Sequence, residues 1–159
     1  MTEEKFHFDS RVKHWAWLLG LAGLIPFVAH TAAVLMMAPP FNFVAVSSQI
    51  LYAALIRTFV GGLHWGVLLV AGDAFSRSQI ILRLVWSVTP SLYAFWFAQI
   101  THPKPLLYLA GGLVAALIVD AWLYSNSPGT QLGQFLPLRV VLTTVASLCL
   151  LVTWAYSPV

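Results

Sequence analysis

Residues 14–37 form a run of almost uninterrupted apolar side chains that stops at Pro39-Pro40. The rhythm then repeats. Further apolar runs cover about 45–71, closed by Gly72-Asp73, 79–100, closed by THPKP, 106–124, closed by SNSPG, and 138–156. Each is close to or above the ~20 residues a helix needs to cross about 30 Å of hydrocarbon. Proline and glycine clusters mark the breaks. The runs are continuously apolar rather than alternating, which argues against barrel strands and leaves helices as the spanning form. The pattern predicts an all-α, polytopic membrane bundle of five transmembrane helices, one domain over residues 1–159.

Composition sharpens this picture. Only 8% of the 159 residues are charged and 60% are hydrophobic, whereas a soluble domain carries about 25% charged residues. So few charges cannot cover a soluble globule. With the N-terminus inside, Lys5, Arg11, Lys13, Arg77, Arg83 and Arg139 fall on or near the cytoplasmic side, and only Lys104 falls outside. That is the positive-inside bias. The expected topology is N-terminus cytoplasmic and C-terminus periplasmic, with short loops. Trp15, Trp17, Trp65, Trp86 and Trp122 then gather near the inner interface, where amphipathic rings anchor. The opening MTEEKFHFDSRVKH has the plan of neither a signal peptide nor a transit peptide. The first span is therefore expected to be retained as its own insertion signal, in a bacterial cytoplasmic (inner) membrane. The net charge of +3 sits at segment ends, without the basic stripe that nucleic acid requires. The single cysteine, Cys149, closes no disulfide and reads as a small apolar filler.

Polar residues inside the spans are the candidate chemistry. Arg57 and His64 lie seven apart in IRTFVGGLHWGVLL and share a helix face. A charge at the bilayer centre costs about 2.5–3.5 kcal/mol on insertion scales, so a partner is expected. Asp120 is the only acidic residue within a span. Counted at 1.5 Å per residue, Arg57 and Asp120 both lie roughly 20 Å from the outer edges of their spans, which predicts an Arg57–Asp120 pair. Arg83 and Arg139 are expected to snorkel to the inner headgroups. The alternative is an inner-half cationic cluster that binds a phospholipid, a quinone ring or a small carboxylate. The candidate ligand- or lipid-binding residues are Arg57, His64, Trp65, Arg83, Trp86, Asp120 and Arg139.

Helix contacts are expected at small residues. Thr58, Gly62 and Gly66 repeat every four residues, as do Gly112, Ala116 and Asp120. They serve either seams within the bundle or a seam for a partner's helix. Gly61 leaves room beside the backbone, Pro26 should bend the first helix, and Pro90 frees backbone in the third to which Ser87 or Ser91 can hydrogen-bond. No catalytic signature such as HExxH, GxSxG or a paired-carboxylate site is present, so the chain is expected not to be an enzyme. His30 and His64 stand too far apart in depth to share one haem, and His102 reads as a solvated loop residue. No cofactor and no metal are expected.

LGLAGLIPF at 19–27, FVGGLHWG at 59–66, RLVWSVTPSL at 83–92 and LR at 138–139 together resemble domain-of-unknown-function family 3429. These are small bacterial inner-membrane proteins, similar to the mitochondrial transmembrane protein 69. The resemblance covers nearly the whole chain, and GGxHWG is its most specific string. It implies a compact helical membrane protein with no established activity. It also implies an apolar residue where Arg57 stands, so that a family-wide site would centre on His64, Trp86 and Arg139. Short loops, small-residue seams and the missing catalytic motifs lead to an expected role as an accessory or assembly subunit of a larger respiratory or photosynthetic membrane complex. The alternative role is a small-molecule, lipid or quinone binder, or a small transporter. Partners are expected to be the bilayer, other membrane subunits or further copies of the chain, and not nucleic acid.

Overall fold

The computed structural model describes residues 10–100, 103–125 and 131–157; Lys5 and His102 lie outside them. The described residues are helical, in the order α1 Ser10–Ala22, α2 Ile25–Met36, α3 Phe41–Ala71, α4 Arg77–Ala98, α5 Lys104–Ser125 and α6 Leu136–Tyr156. Short 3₁₀ turns at Gly72–Ala74 and Gln131–Phe135 precede α4 and α6. Among the described residues, five segments are long and apolar enough to cross a membrane: Arg11–Met36, Phe41–Ala74, Arg77–Ala98, Lys104–Ser125 and Gly133–Tyr156. These match the five apolar runs to within a few residues, except that the second span begins four residues earlier and the fifth five.

The first span differs in one respect. It is not one bent helix but two, α1 and α2, separated by a turn at Gly23-Leu24. Pro26 stands in the first turn of α2, where its missing N–H has no intrahelical partner to lose. The break frees carbonyls, and the Tyr52 hydroxyl donates to that of Gly23 at 2.8 Å. At the start of α4 the chain uses a capping box. Ser76 Oγ accepts from the Gln79 amide, and the Gln79 side chain accepts from the Ser76 amide, so two orphan donors are met reciprocally.

The core is built from α2 to α6. Phe27 and Val34, then Ala45, Val46, Ile50 and Ala53, then Ala94, Leu106, Leu109, Leu113, Ala146 and Leu150 are its buried apolar members. Many are alanine, which lets backbones approach where no hydrophobic force separates protein from lipid. α3 packs most extensively on α4 and α2, and α5 on α6. Large side chains such as Leu69, Val70, Phe95 and Trp96 point outward, as a lipid-facing surface requires.

Candidate functional site

The site grows from the inward face of α3. Its buried polar residues are Asn42, Gln49, Arg57 and His64, spaced seven to eight apart, so they form one stripe along the helix. Gly61 brings α4 against this stripe. A Cβ there would collide with the Ser87 carbonyl oxygen and sit 3.3 Å from Pro90 Cγ. One turn on from that crossing is His64. On the facing helix Trp86 is next to Ser87. Asp120, from α5, lies between them.

Asp120 is buried to 1% exposure and takes donors from three other helices. His64 Nε2 of α3 donates to its Oδ1 at 3.0 Å, and Trp86 Nε1 of α4 donates to the same oxygen at 2.9 Å. Arg139 of α6 makes the ion pair with Oδ2. One carboxylate therefore stitches four helices together. With the ring nitrogen Nε2 committed to an anion, His64 Nδ1 is left buried without a hydrogen-bond partner. Tyr124 stands beside the imidazole, ring centroids 6.0 Å apart. Most of the carboxylate's lone-pair positions are occupied, and they are occupied inside the bundle. That arrangement can carry charge and hold helices, but it does not turn a base toward a substrate.

Arg57 does not join it. Its guanidinium, 3% exposed, lies over the Tyr93 ring at 4.3 Å and against Gly112, where any Cβ would collide with Nη1. Gly112 and Asp120 are eight residues apart on α5, roughly 12 Å along the axis. The expected Arg57–Asp120 pair is thus replaced by Arg139–Asp120. The reason is vertical offset. α3 has 31 residues and α5 has 22, so counting depth from the starts of the two spans sets Arg57 level with Asp120. Packing instead sets Arg57 level with Gly112 and His64 level with Asp120.

Other expectations also shift. Arg83 and Arg139 do not snorkel. Arg83 is buried, donates to the Leu123 carbonyl at 2.7 Å and lies over the Phe75 ring at 4.5 Å. It thereby serves one of the carbonyls that end α5. Trp65, grouped with the site by sequence, faces outward at 50% exposure. Gly62 and Gly66, grouped with the packing residues, are exposed with nothing within 4 Å of a Cβ, so they seam nothing within the bundle. Gly61, Gly112, Ala116 and Pro90 are buried at helix contacts.

A second polar cluster was missed. At the other end of the bundle Gln49 donates to the Phe27 carbonyl at 3.3 Å and to Thr31 at 3.0 Å. Thr31 meets the Cys149 carbonyl at 3.2 Å and Thr153 at 3.1 Å. The recurrence of Gln49 eight residues, about two turns, before Arg57 was the available signal. Among the described residues no group of three His, Cys, Asp or Glu side chains could hold a metal. Two surface clefts stand out. One, of about 230 Å³, is lined by Gln79, Leu82, Arg83, Trp122 and Leu123, and is smaller than the ~300–1,000 Å³ of most small-molecule sites. The other is apolar and lies where α1 meets α2. Neither touches Asp120, His64 or Arg139.

The chain belongs to the family described as "Protein of unknown function (DUF3429)", which matches residues 12–155. It is similar to Transmembrane protein 69 of Xenopus tropicalis, 35% identical over 137 residues, covering 82% of this chain and 50% of that protein. Transmembrane protein 69 of Mus musculus is 32% identical over 143 residues, covering 87% of this chain and 54% of that protein. The chain thus spans about half the length of the curated relatives it matches. No solved structure matches it.

Proposed function

We propose that this chain is a non-enzymatic accessory or assembly subunit of a larger membrane complex. The observation that carries this reading is the closure of the charged cluster. Asp120 is held by His64, Trp86 and Arg139 inside the bundle, so the strongest chemistry in the chain is spent on joining α3, α4, α5 and α6. A binder built on that cluster would turn those groups into a cavity. A chain whose only ion-paired carboxylate among the described residues is closed off in this way acts through its outer surface. On that surface Thr58, Gly62 and Gly66 form an exposed line of small residues along α3. Backbones can approach closely along such a line.

The distribution of basic residues supports placing the complex in a bacterial cytoplasmic membrane. Arg11, Lys13, Arg77, Arg83 and Arg139 belong to one end of the bundle, at or near the starts of α1, α4 and α6, whereas Lys104 begins α5 at the other. The positive-inside rule puts the first end in the cytoplasm.

The test is native mass spectrometry of the chain extracted gently from its own membrane. The expected result is a stoichiometric protein companion. Replacing Gly62 and Gly66 together with leucine should remove that companion while shifting stability by no more than about 0.5 kcal/mol, as for surface substitutions generally. A lone monomer in mild detergent overturns the proposal.

A further inference from the structure

α4 and α5 have 22 residues each, about 33 Å of helix at 1.5 Å per residue. That length matches the ~30 Å hydrocarbon core, so their ends lie where acyl chains meet headgroups. α4 begins beside the end of α5, and the cleft of about 230 Å³ opens between them there. Gln79 is the third residue of α4, Arg83 the seventh, and Leu123 the third from the end of α5. The cleft is therefore at headgroup depth. It exceeds the ~30 Å³ share of one water several-fold, which is room for a phosphate and part of its glycerol but not for a whole lipid.

The acceptors in the wall of this cleft are already used. Gln79 Oε1 accepts from the Ser76 amide at 2.9 Å and from the Ser76 hydroxyl at 3.1 Å. An amide N–H can be met only by that oxygen, so the capping box fixes the orientation of the side chain and leaves Gln79 Nε2 as the donor still to be satisfied. The Leu123 carbonyl is taken by Arg83 Nη2 at 2.7 Å. That bond and the Phe75 ring hold the Arg83 guanidinium in place at the cleft. One donor and one fixed cation thus border the space, and no carboxylate among the described residues lines it. Such a wall favours an anion.

The rim is apolar and faces lipid. Leu82 and Trp122 are exposed at its edge, the tryptophan at the depth where amphipathic rings anchor. One turn deeper, Val85 on α4 and Ile118 on α5 are exposed as well and continue the apolar surface toward the midplane. The occupant that fits has a negative, phosphate-sized head with hydrocarbon behind it. A zwitterionic headgroup fits less well, because its ammonium group finds no acid in the cleft and meets the Arg83 charge.

We propose that the phosphate of an anionic phospholipid docks in the α4–α5 cleft, accepting from Gln79 Nε2 beside the Arg83 guanidinium, with its acyl chains along Leu82, Val85, Ile118 and Trp122. This is a binding site, with no reaction assigned to it. It stands independently of the accessory-subunit reading, since a bound lipid and a protein companion can each be present without the other.

The test uses the full chain, purified in detergent and stripped of lipid. It is titrated with dioleoylphosphatidylglycerol and, separately, with dioleoylphosphatidylcholine, and read by native mass spectrometry. The expected result is one phosphatidylglycerol per chain, held about tenfold or more tightly than phosphatidylcholine, the factor that one hydrogen bond to a charged group supplies. Gln79→Glu keeps an oxygen for the Ser76 amide, as a capping box requires, but replaces the donor with a negative charge. It should abolish the preference while the lipid-free chain unfolds at the parent's temperature. Arg77→Gln lowers the net charge by the same one unit on the exposed start of α4, off the cleft. It should bind phosphatidylglycerol within about twofold of the parent, because exposed charges are screened. Equal binding of the two lipids, an unchanged preference in Gln79→Glu, or an equal loss in Arg77→Gln each overturns the proposal. So does saturation by inorganic phosphate at the affinity of the lipid, which would mark a site for a soluble anion instead.

Discussion

The bundle holds two buried polar clusters, and they are built on opposite principles. Near the end where α3 finishes and α4 begins, Asp120 gathers His64, Trp86 and the cation of Arg139. Near the other end, Gln49, Thr31 and Thr153 share neutral hydrogen bonds with two backbone carbonyls. The first joins α3, α4, α5 and α6, and the second joins α2, α3 and α6. Both solve the same problem, since helices in lipid gain nothing from burying apolar area against one another and need packing and polar contacts instead. The difference lies in what happens when a partner is lost. A neutral donor can turn to another oxygen or remain unmet at modest cost, whereas a carboxylate stripped of its cation remains a buried charge.

The largest effect should follow from Arg139→Met. It leaves Asp120 buried without its cation and should destabilise the bundle by about 3–5 kcal/mol. At about 2–4 °C per kcal/mol for a chain of this size, thermal unfolding in detergent should fall by roughly 6–20 °C. Adding Asp120→Leu should restore more than half of the loss. If the double variant is as unstable as the single, the charge is not the reason the cluster matters.

A smaller effect is expected at the helix crossing that brings the cluster together. Gly61→Ala places a methyl against the Ser87 carbonyl, and backbone does not yield as a flexible side chain does. Overpacking of this kind costs about 1–3 kcal/mol. The charged cluster should loosen with it, seen as faster amide exchange at Trp86 and His64. An unchanged melting curve would show that α3 and α4 can separate at no cost.

The smallest effect belongs to the neutral cluster. Gln49→Leu removes two donors and should cost about 0.6 kcal/mol, with ~1.7 as the upper end for interhelical hydrogen bonds in membranes. Unfolding measured alongside Arg139→Met would then rank the two clusters. A loss for Gln49→Leu equal to that for Arg139→Met would erase the distinction between them.

How much of this was readable in the chain differs by level. The five spans followed from run length and the breaks between them, because crossing hydrocarbon sets a minimum length that needs no neighbour. The members of the charged cluster were also legible, since Asp120 is the only acid in a span and Arg139, Trp86 and His64 lie in apolar runs. Their pairing was not. Arg57 was matched to Asp120 by counting residues from the ends of spans, and the unequal lengths of α3 and α5 displaced that count by two turns. The outward rotation of Gly62, Gly66 and Trp65 was hidden for another reason. α3 is apolar on nearly every side, so a small residue on it carries no mark of whether it faces protein or lipid. The stripe of Asn42, Gln49, Arg57 and His64 was the one rotation signal available.

The sequence by itself therefore determined that the chain is a multi-span helical membrane protein and where its five spans lie. Those are properties of one segment in one solvent. Which hidden groups meet was decided only by tertiary structure, because the offset and rotation of each helix depend on contacts such as Gly61 with Ser87 and Gly112 with Arg57. Close approach at those glycines puts Asp120 beside Arg139 and leaves Arg57 facing Tyr93, two arrangements that residue spacing within one helix does not encode.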